Sequence, residues 1–532
     1  SLKFRTEYGY SKLKYPVFES APLNAAGAAD EFDTLILRAG HNKGWGSTWD
    51  SQNTCYTRDQ FSRDLQIAVS GAGSHGTFVY LYLNGLFWGL YNLVERPDHN
   101  FQAAYFGGDG DDYYAGKHRG GDISGDDSAF DLFKSTVSKS SDYGAVAAAL
   151  DVPNYIDQTL LAAYSSVGDY PQYYFGQRML PTQGPLRFFM WDIEDSWGGG
   201  SRRSGVNYDA SDDPQFDRFD ETLALGDLWR GTADFRQLFC DRAHAHFEAT
   251  DGPLREPAIA AAWDTLNDFI EAPMLMEAAR WGDERTAVGE GYTRSDTWRP
   301  ARARMDAALV GRDAKMVAKL EAEVRDGYRM YSAIRPPVAD FELLRPPAEM
   351  TAEAAAAAML RPHPTLTVGD GTLLRLSAPA NASSAARVYY TTDGSDPRAS
   401  GGGVGGASTE CVPPCTIAIN GTAGATTTIH ARMKNGTEWS PPFAVTFAGA
   451  GGPGAPPALV ISEVADKGTS DGTCNGEDWV ELHNTGASAV ALDGLVLHDN
   501  KGADDEDARV FGAGSATIDA DGYLVLCQGV DF

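Results

Sequence analysis

The sequence predicts a multidomain chain: an α+β domain followed by two small all-β sandwiches. Three observations carry this. Residues 1–350 mix β-rich runs with long helical patterns. After the alanine-rich stretch Thr351–Leu360 the composition turns to Thr, Val, Gly and Pro with short alternating runs, the pattern of small sandwiches. The Gly/Pro stretch Gly449–Pro457 then separates two such β regions. The expected domains are therefore 1–350, 361–448 and 459–532. A length of 532 residues agrees, at roughly 100–200 residues per domain.

Taken in order, Phe32–Arg38 alternates enough for a strand, and Arg58–Val69 has apolar residues at helical spacing. Thr77–Leu83, Asn84-Gly85 and Leu86–Glu95 read as a hairpin, because Asn-Gly tolerates the positive φ angles of a two-residue turn. Residues 100–150 read as looser. Within them Asp109-Gly-Asp111-Asp112 resembles part of a calcium loop, but a solvated turn is the better reading. Lys117, the first lysine after the hairpin, is a candidate phosphate ligand, weighed against a surface lysine. Residues 153–350 read as mainly helical apart from the segment carrying Asp192. Pro257–Ala279 is expected to be helical with a break near Pro273, and Arg299–Tyr331 to be a long, solvated outer face.

The chemistry centres on residues 153–200. Asp169 follows an apolar helical run. Asp192 and Glu194 follow the aromatic run Phe188-Phe189-Met190-Trp191. One acid after a helix and another at a strand end is the arrangement with which a protein kinase holds its acceptor and metal–nucleotide. No phosphate-loop motif, no Gly-x-Ser-x-Gly and no His-Glu-x-x-His occurs. His244 and His246 are two apart on a helix and face different ways, so they read as core or surface residues.

The net charge of −29 argues against nucleic acid, and favours a well-solvated surface. There is no run of 18 or more apolar residues to span a membrane. The six cysteines show no zinc spacing. Cys411 and Cys415 can close a tight loop, and Cys474 and Cys527 can staple one module, although six cysteines allow 15 pairings. Disulfides and the sequons at Asn381, Asn420 and Asn435 predict a secreted or cell-surface glycoprotein. The chain starts inside folded sequence and stops inside another module, which predicts an interior segment of a longer precursor.

Residues 1–345 or so resemble the spore coat protein H (CotH) kinase family. The residues that carry this are Phe32–Gly40, Thr57-Arg-Asp-Gln-Phe61, Tyr82–Arg96, Phe188–Gly199 and Glu277-Ala-Ala-Arg-Trp-Gly-Asp283. The resemblance implies an atypical protein-kinase-like fold and phosphoryl transfer from Mg-ATP to protein Ser/Thr. It implies a catalytic role for Asp169, metal binding by Asp192 with Glu194, and phosphate neutralisation by Lys117, with Arg38 as a second cofactor-binding cation. The family follows its catalytic Asp with a metal-binding Asn. This chain has no Asn there, and Gln172 stands as the substitute. Two functions follow: a secreted kinase, or an inactive structural component of an extracellular or cell-surface assembly with protein partners.

Val388–Pro397 and Thr428–Arg432 resemble the Ig-like module at the C-terminus of chitobiases. Leu459–Val464, Asp478–Asn484 and Leu492–Leu497 resemble a lamin-tail domain, also an Ig-like sandwich. Calcium is weighed at Asp504–Asp507, where a solvated acidic loop is the plainer reading.

Overall fold

The computed structural model describes residues 1–40, 43–46, 53–118, 121–125, 128–137, 142–167, 173–198, 214, 225–249, 251–284, 291–322, 324–325, 328–329, 340–344, 365–368, 372–380, 382–422, 424–449, 459–465, 474, 478–484, 489–492, 496–497, 509–511 and 516–527.

The first sheet is antiparallel. It contains β1 (Leu2–Lys3), β2 (Thr34–Arg38), β3 (Gly76–Leu83) and β4 (Leu86–Glu95), in the order β1-β2-β4-β3. Asn84 and Gly85 take positive φ angles of 51° and 79° and close the β3–β4 hairpin as the sequence predicts. Between β2 and β3 lies helix α1 (Arg58–Ser70), with Thr57 at its N-terminus and the left-handed Gly71 at its end.

Residues 100–150 are more ordered than the sequence reading suggested. They hold α2 (His99–Phe106), β5 (Tyr113–Lys117) and β6 (Gly121–Ser124), with further helical turns at Ser128–Val137 and Tyr143–Ala149. Short elements with glycine inside them leave little periodicity to read, which is why the pattern was weak. The Asp109–Asp112 segment is a single 3₁₀ turn, consistent with a solvated turn.

Helix α3 (Val152–Ser165) runs through the centre with nearly every residue buried. It is followed by β7 (Tyr173–Arg178) and β8 (Arg187–Met190), which pair in the second antiparallel sheet in the order β8-β7-β5-β6. Strand β7 corrects the expectation that only the Asp192 segment interrupts the helices. As an edge strand, β8 leaves one row of backbone groups unpaired. Side chains cover it. Gln66 of α1 donates to the Phe188 carbonyl (3.0 Å) and accepts from the Met190 amide (2.8 Å), while Asn154 of α3 accepts from the Phe188 amide (2.7 Å).

Helices α4 (Ala233–Phe247), α5 (Glu256–Glu271), α6 (Met274–Trp281), α7 (Arg299–Leu309) and α8 (Arg312–Ala322) complete this part. The break near Pro273 is where the sequence placed it. His246 meets Asp157 of α3 at 2.8 Å and His244 meets Glu248, so the two histidines do face apart. The solvated face expected over 299–331 is a correction. Met305, Leu309, Met316 and Leu320 are buried, and Arg312 has no exposed surface. Arg312 donates to the Tyr164 carbonyl (2.7 Å) and to Ser166 (3.1 Å), closing the C-terminal end of α3.

The second unit pairs β9 (Leu373–Ser377) with Asp340–Leu344 on one side and Cys415–Ala418 on the other. Its larger sheet includes β10 (Arg387–Thr391), β11 (Thr426–Asn435) and β12 (Phe443–Gly449). Strand Asp340–Leu344 thus lies in this unit although the sequence reading assigned it to the first domain. The third unit pairs Leu459–Ala465, Trp479–Asn484 and Tyr523–Cys527. Cys411–Cys415 and Cys474–Cys527 form disulfides, while Cys55 and Cys240 remain buried thiols. Among the described residues no helix is long and apolar enough to cross a membrane.

Candidate functional site

The site lies where the two sheets meet α1. Strand β2 ends on Arg38, α1 begins beside Asp59, and β8 runs into Trp191 and Asp192. Arg38 is the hub. Its Nε meets Asp59 Oδ2 at 2.9 Å, one Nη meets Asp192 Oδ1 at 2.5 Å, and the same group lies 3.7 Å from Glu194 Oε2. Burial alone would lower the Arg38 pKa, but the three carboxylates more than reverse this and hold it charged. Its guanidinium also lies over the Trp191 ring, 4.8 Å from the centroid.

Asp59 is buried and fully engaged. Burial pushes its pKa up, yet Arg38, Arg63 and the Ile193 amide pull it below the ordinary carboxylate range. That amide donates at 3.0 Å, and Arg63 meets Asp59 at 2.6 Å. The chain after β8 is therefore tied to α1 at Ile193, and again at Trp197, whose indole donates to Ser62 (3.0 Å).

Asp192 differs from Asp59. Its φ is +61°, a conformation that non-glycine residues adopt at a cost of order 1–3 kcal/mol and that clusters at functional sites. One carboxylate oxygen meets Arg38. The other has no hydrogen-bond partner among the described residues, and about a third of the side chain is exposed. Glu194 is more deeply buried, at 9% side-chain exposure.

Lys117 ends β5, opposite Tyr174 of β7, with its ammonium 5.7 Å from the Tyr174 ring. Burial lowers its pKa, and Asp192 is the leading group that opposes this. The structure thus brings Arg38, Lys117, Asp192 and Glu194 together. Asp169 and Gln172 lie outside the described residues; the fixed point before them is the end of α3, held by Arg312.

Two residues of this network were missed by sequence reasoning. Asp59 and Arg63 lie in the Thr57–Phe61 helix start and one turn beyond it. The signal was present, a charged pair at i, i+4 inside an apolar helix pattern, but exposed helix faces carry such pairs too. Glu277 was quoted within a motif and given no role. It accepts from the Leu90 amide (2.7 Å) and from the Tyr56 hydroxyl (3.2 Å). Gly89 has φ +155°, and a Cβ there would meet Trp281 Nε1 at 3.1 Å, so glycine lets α6 close onto β4.

Among the described residues no group of three His, Cys, Asp or Glu side chains is gathered as a metal site. The open oxygen of Asp192, at a strand end beside two cations, could serve as one oxygen ligand of a hard cation.

Residues 47–304 match the CotH kinase protein family. Residues 453–531 match the Lamin Tail Domain. The chain therefore contains a CotH kinase domain followed by a C-terminal all-β region with a lamin tail domain. Arg38 and the β1 edge lie before the first matched range, although Arg38 forms the ion pairs to Asp59 and Asp192 within it. No curated protein matches the chain.

Proposed function

We propose that this protein is a CotH-type atypical protein kinase that transfers a phosphoryl group from Mg-ATP to protein Ser/Thr, in a secreted or cell-surface setting. The observation that supports it most is Asp192: strained, partly exposed, tied to Arg38 through one oxygen and open at the other. The Arg38–Asp59 pair links a strand of the first sheet to α1, as the strand-Lys to helix-Glu pair does in protein kinases, with Arg for Lys and Asp for Glu. In this reading Arg38 and Lys117 receive the nucleotide phosphates. Asp192, with Glu194 behind it and Gln172 as a further carbonyl ligand, would hold magnesium, which would supply charge neutralisation on the transferring phosphate. Asp169 accepts the acceptor hydroxyl's proton as its oxygen bonds to the γ-phosphorus and the bond to ADP breaks. The family match supports nucleotide and metal use in general.

A second reading, an inactive scaffold, is favoured by one observation. Arg398 meets Asp234 of α4 at 2.6 Å and Arg432 meets Asp241 of α4 at 2.9 Å, fastening the second unit to the first. In that reading the β units, including the chitobiase-like module proposed for 361–448, make the contacts of an extracellular assembly. The two disulfides are compatible with such a location. Glycans are proposed at Asn420, which is exposed, at Asn435, and at Asn381, which lies outside the described residues.

Thermal shift with Mg-ATP or Mn-ATP separates the readings. The kinase reading expects a shift that Asp192→Asn removes. No shift in the parent protein, or an equal shift in the variant, leaves the scaffold.

A further inference from the structure

The first fifteen residues carry Lys3, Arg5, Lys12 and Lys14 against one acid, Glu7, in a chain of net charge −29. The fold places them at a particular edge. Strand β1 is the outer strand of the first sheet and β6 the outer strand of the second. An open groove between them is lined by Lys3, Arg5, Arg96, His99 and Lys117. It continues past Phe4 along Tyr8, Tyr10, Lys12 and Lys14.

Three acids also line this groove, and each is engaged. Asp33 lies 3.5 Å from Lys12, Asp98 accepts from the Asn100 and Phe101 amides as the cap of α2, and Asp122 accepts from the Tyr114 hydroxyl at 3.0 Å. Lys3 and Arg5 are exposed and have no ion-pair partner among the described residues. Tyr8 and Tyr10 are 81% and 91% exposed, which leaves their ring faces available for contact.

We propose that this groove binds an extended acidic stretch of polypeptide and leads its Ser or Thr toward Asp192. The charge balance selects the ligand. A molecule this acidic repels an acidic chain over most of its surface and attracts it along this strip, where Lys12 and Lys14 are paired with Asp33 and Glu31 and Lys3 and Arg5 carry the excess charge. The edges select its shape, because outer strands present unpaired backbone groups to which an extended segment can add. Continuity selects polypeptide over a lipid surface: the groove is a cleft between two sheets, and its lining includes Lys117, which Asp192 attracts. The delivery of the hydroxyl rests on the kinase reading; the binding does not.

The test is fluorescence anisotropy with the full chain, without nucleotide, using a labelled Glu/Asp-rich peptide holding one serine and the same peptide with Gln/Asn. The acidic peptide should bind at least about tenfold more tightly, and the preference should shrink as salt shortens the screening length. The double variant Lys3→Glu, Arg5→Glu should lose that preference while keeping the parent's thermal midpoint. Equal binding of the two peptides overturns the proposal. So does undiminished acidic-peptide binding by the double variant. Binding of vesicles containing phosphatidylserine without binding of the peptide overturns it in favour of a membrane. Acidic-peptide binding in a protein with no nucleotide shift sustains the groove and removes only the kinase reading.

Discussion

Two arginines in this protein are each held by carboxylates, and they serve different ends. Arg432 of β11 sits between the two units. It meets Asp241 at 2.9 Å and grips both oxygens of Asp396, at 2.7 and 2.6 Å. Arg38 sits in the cleft and divides its donors between Asp59 and Asp192. At the interface the fork is matched oxygen for oxygen, so the charge is satisfied and the contact is structural. In the cleft one acid, Asp59, is saturated by Arg38, Arg63 and the Ile193 amide. The other keeps an open oxygen on a strained residue. What separates the interface contact from the candidate site is the satisfaction of the partners, since the residue types are the same.

The sharpest way to break this comparison is Asp192→Asn. Phosphoryl transfer should fall about 10²–10³-fold, as for loss of one preorganised electrostatic contact, while the denaturation midpoint stays near that of the parent. A large loss of stability instead would make Asp192 as structural as Asp241. The converse is Arg432→Met. It takes the cation away from the buried Asp241, to which Gln237 still donates at 2.8 Å, and should cost about 3 kcal/mol in the guanidinium unfolding of the second unit and its interface. The double variant Arg432→Met, Asp241→Leu should recover most of that, and Mg-ATP binding should change in neither. A smaller effect is expected for Arg38→Lys, which keeps the charge and loses the fork. The nucleotide shift should weaken by about 2 kcal/mol of binding with folding retained. Unchanged binding would move the phosphate-facing role to Lys117 alone.

The smallest effect is in pH dependence. Burial raises the Glu277 pKa from 4.5 to about 7, with the Leu90 amide and Tyr56 opposing. Between those values the folded state holds a proton that the unfolded state has lost. Stability from this group is therefore full below about 4.5 and declines as pH rises toward about 7. Glu277→Gln should flatten that part of the stability profile and be relatively more stable than the parent at pH 8 than at pH 4. An identical slope in the variant would show that Glu277 is not the group responsible.

The local elements were legible because their signals are local. The Asn84-Gly85 turn, helix α1, the break at Pro273 and the aromatic strand before Asp192 each rest on spacing or on one residue's allowed φ angles. The two disulfides fell on pairs that their own module made plausible. Short strands β5 and β7 escaped because five or six residues between loops show no clear period. Arg312 lay within the stretch expected to be a solvated face, because only its position beneath α3 reveals the carbonyl it closes.

Sequence alone determined that a CotH kinase domain precedes a lamin tail domain, and with it the hairpin, the acid after β8 and the basic character of the first fifteen residues. These are properties of composition and of near neighbours. Only the tertiary structure decided which charges meet. It brought Arg38 to Asp59 and Asp192 across separations of 21 and 154 residues and laid Lys3 beside Arg96 in one groove. An ion pair between distant segments leaves no period in the chain, because its energy depends on distance and burial, and both are set by packing.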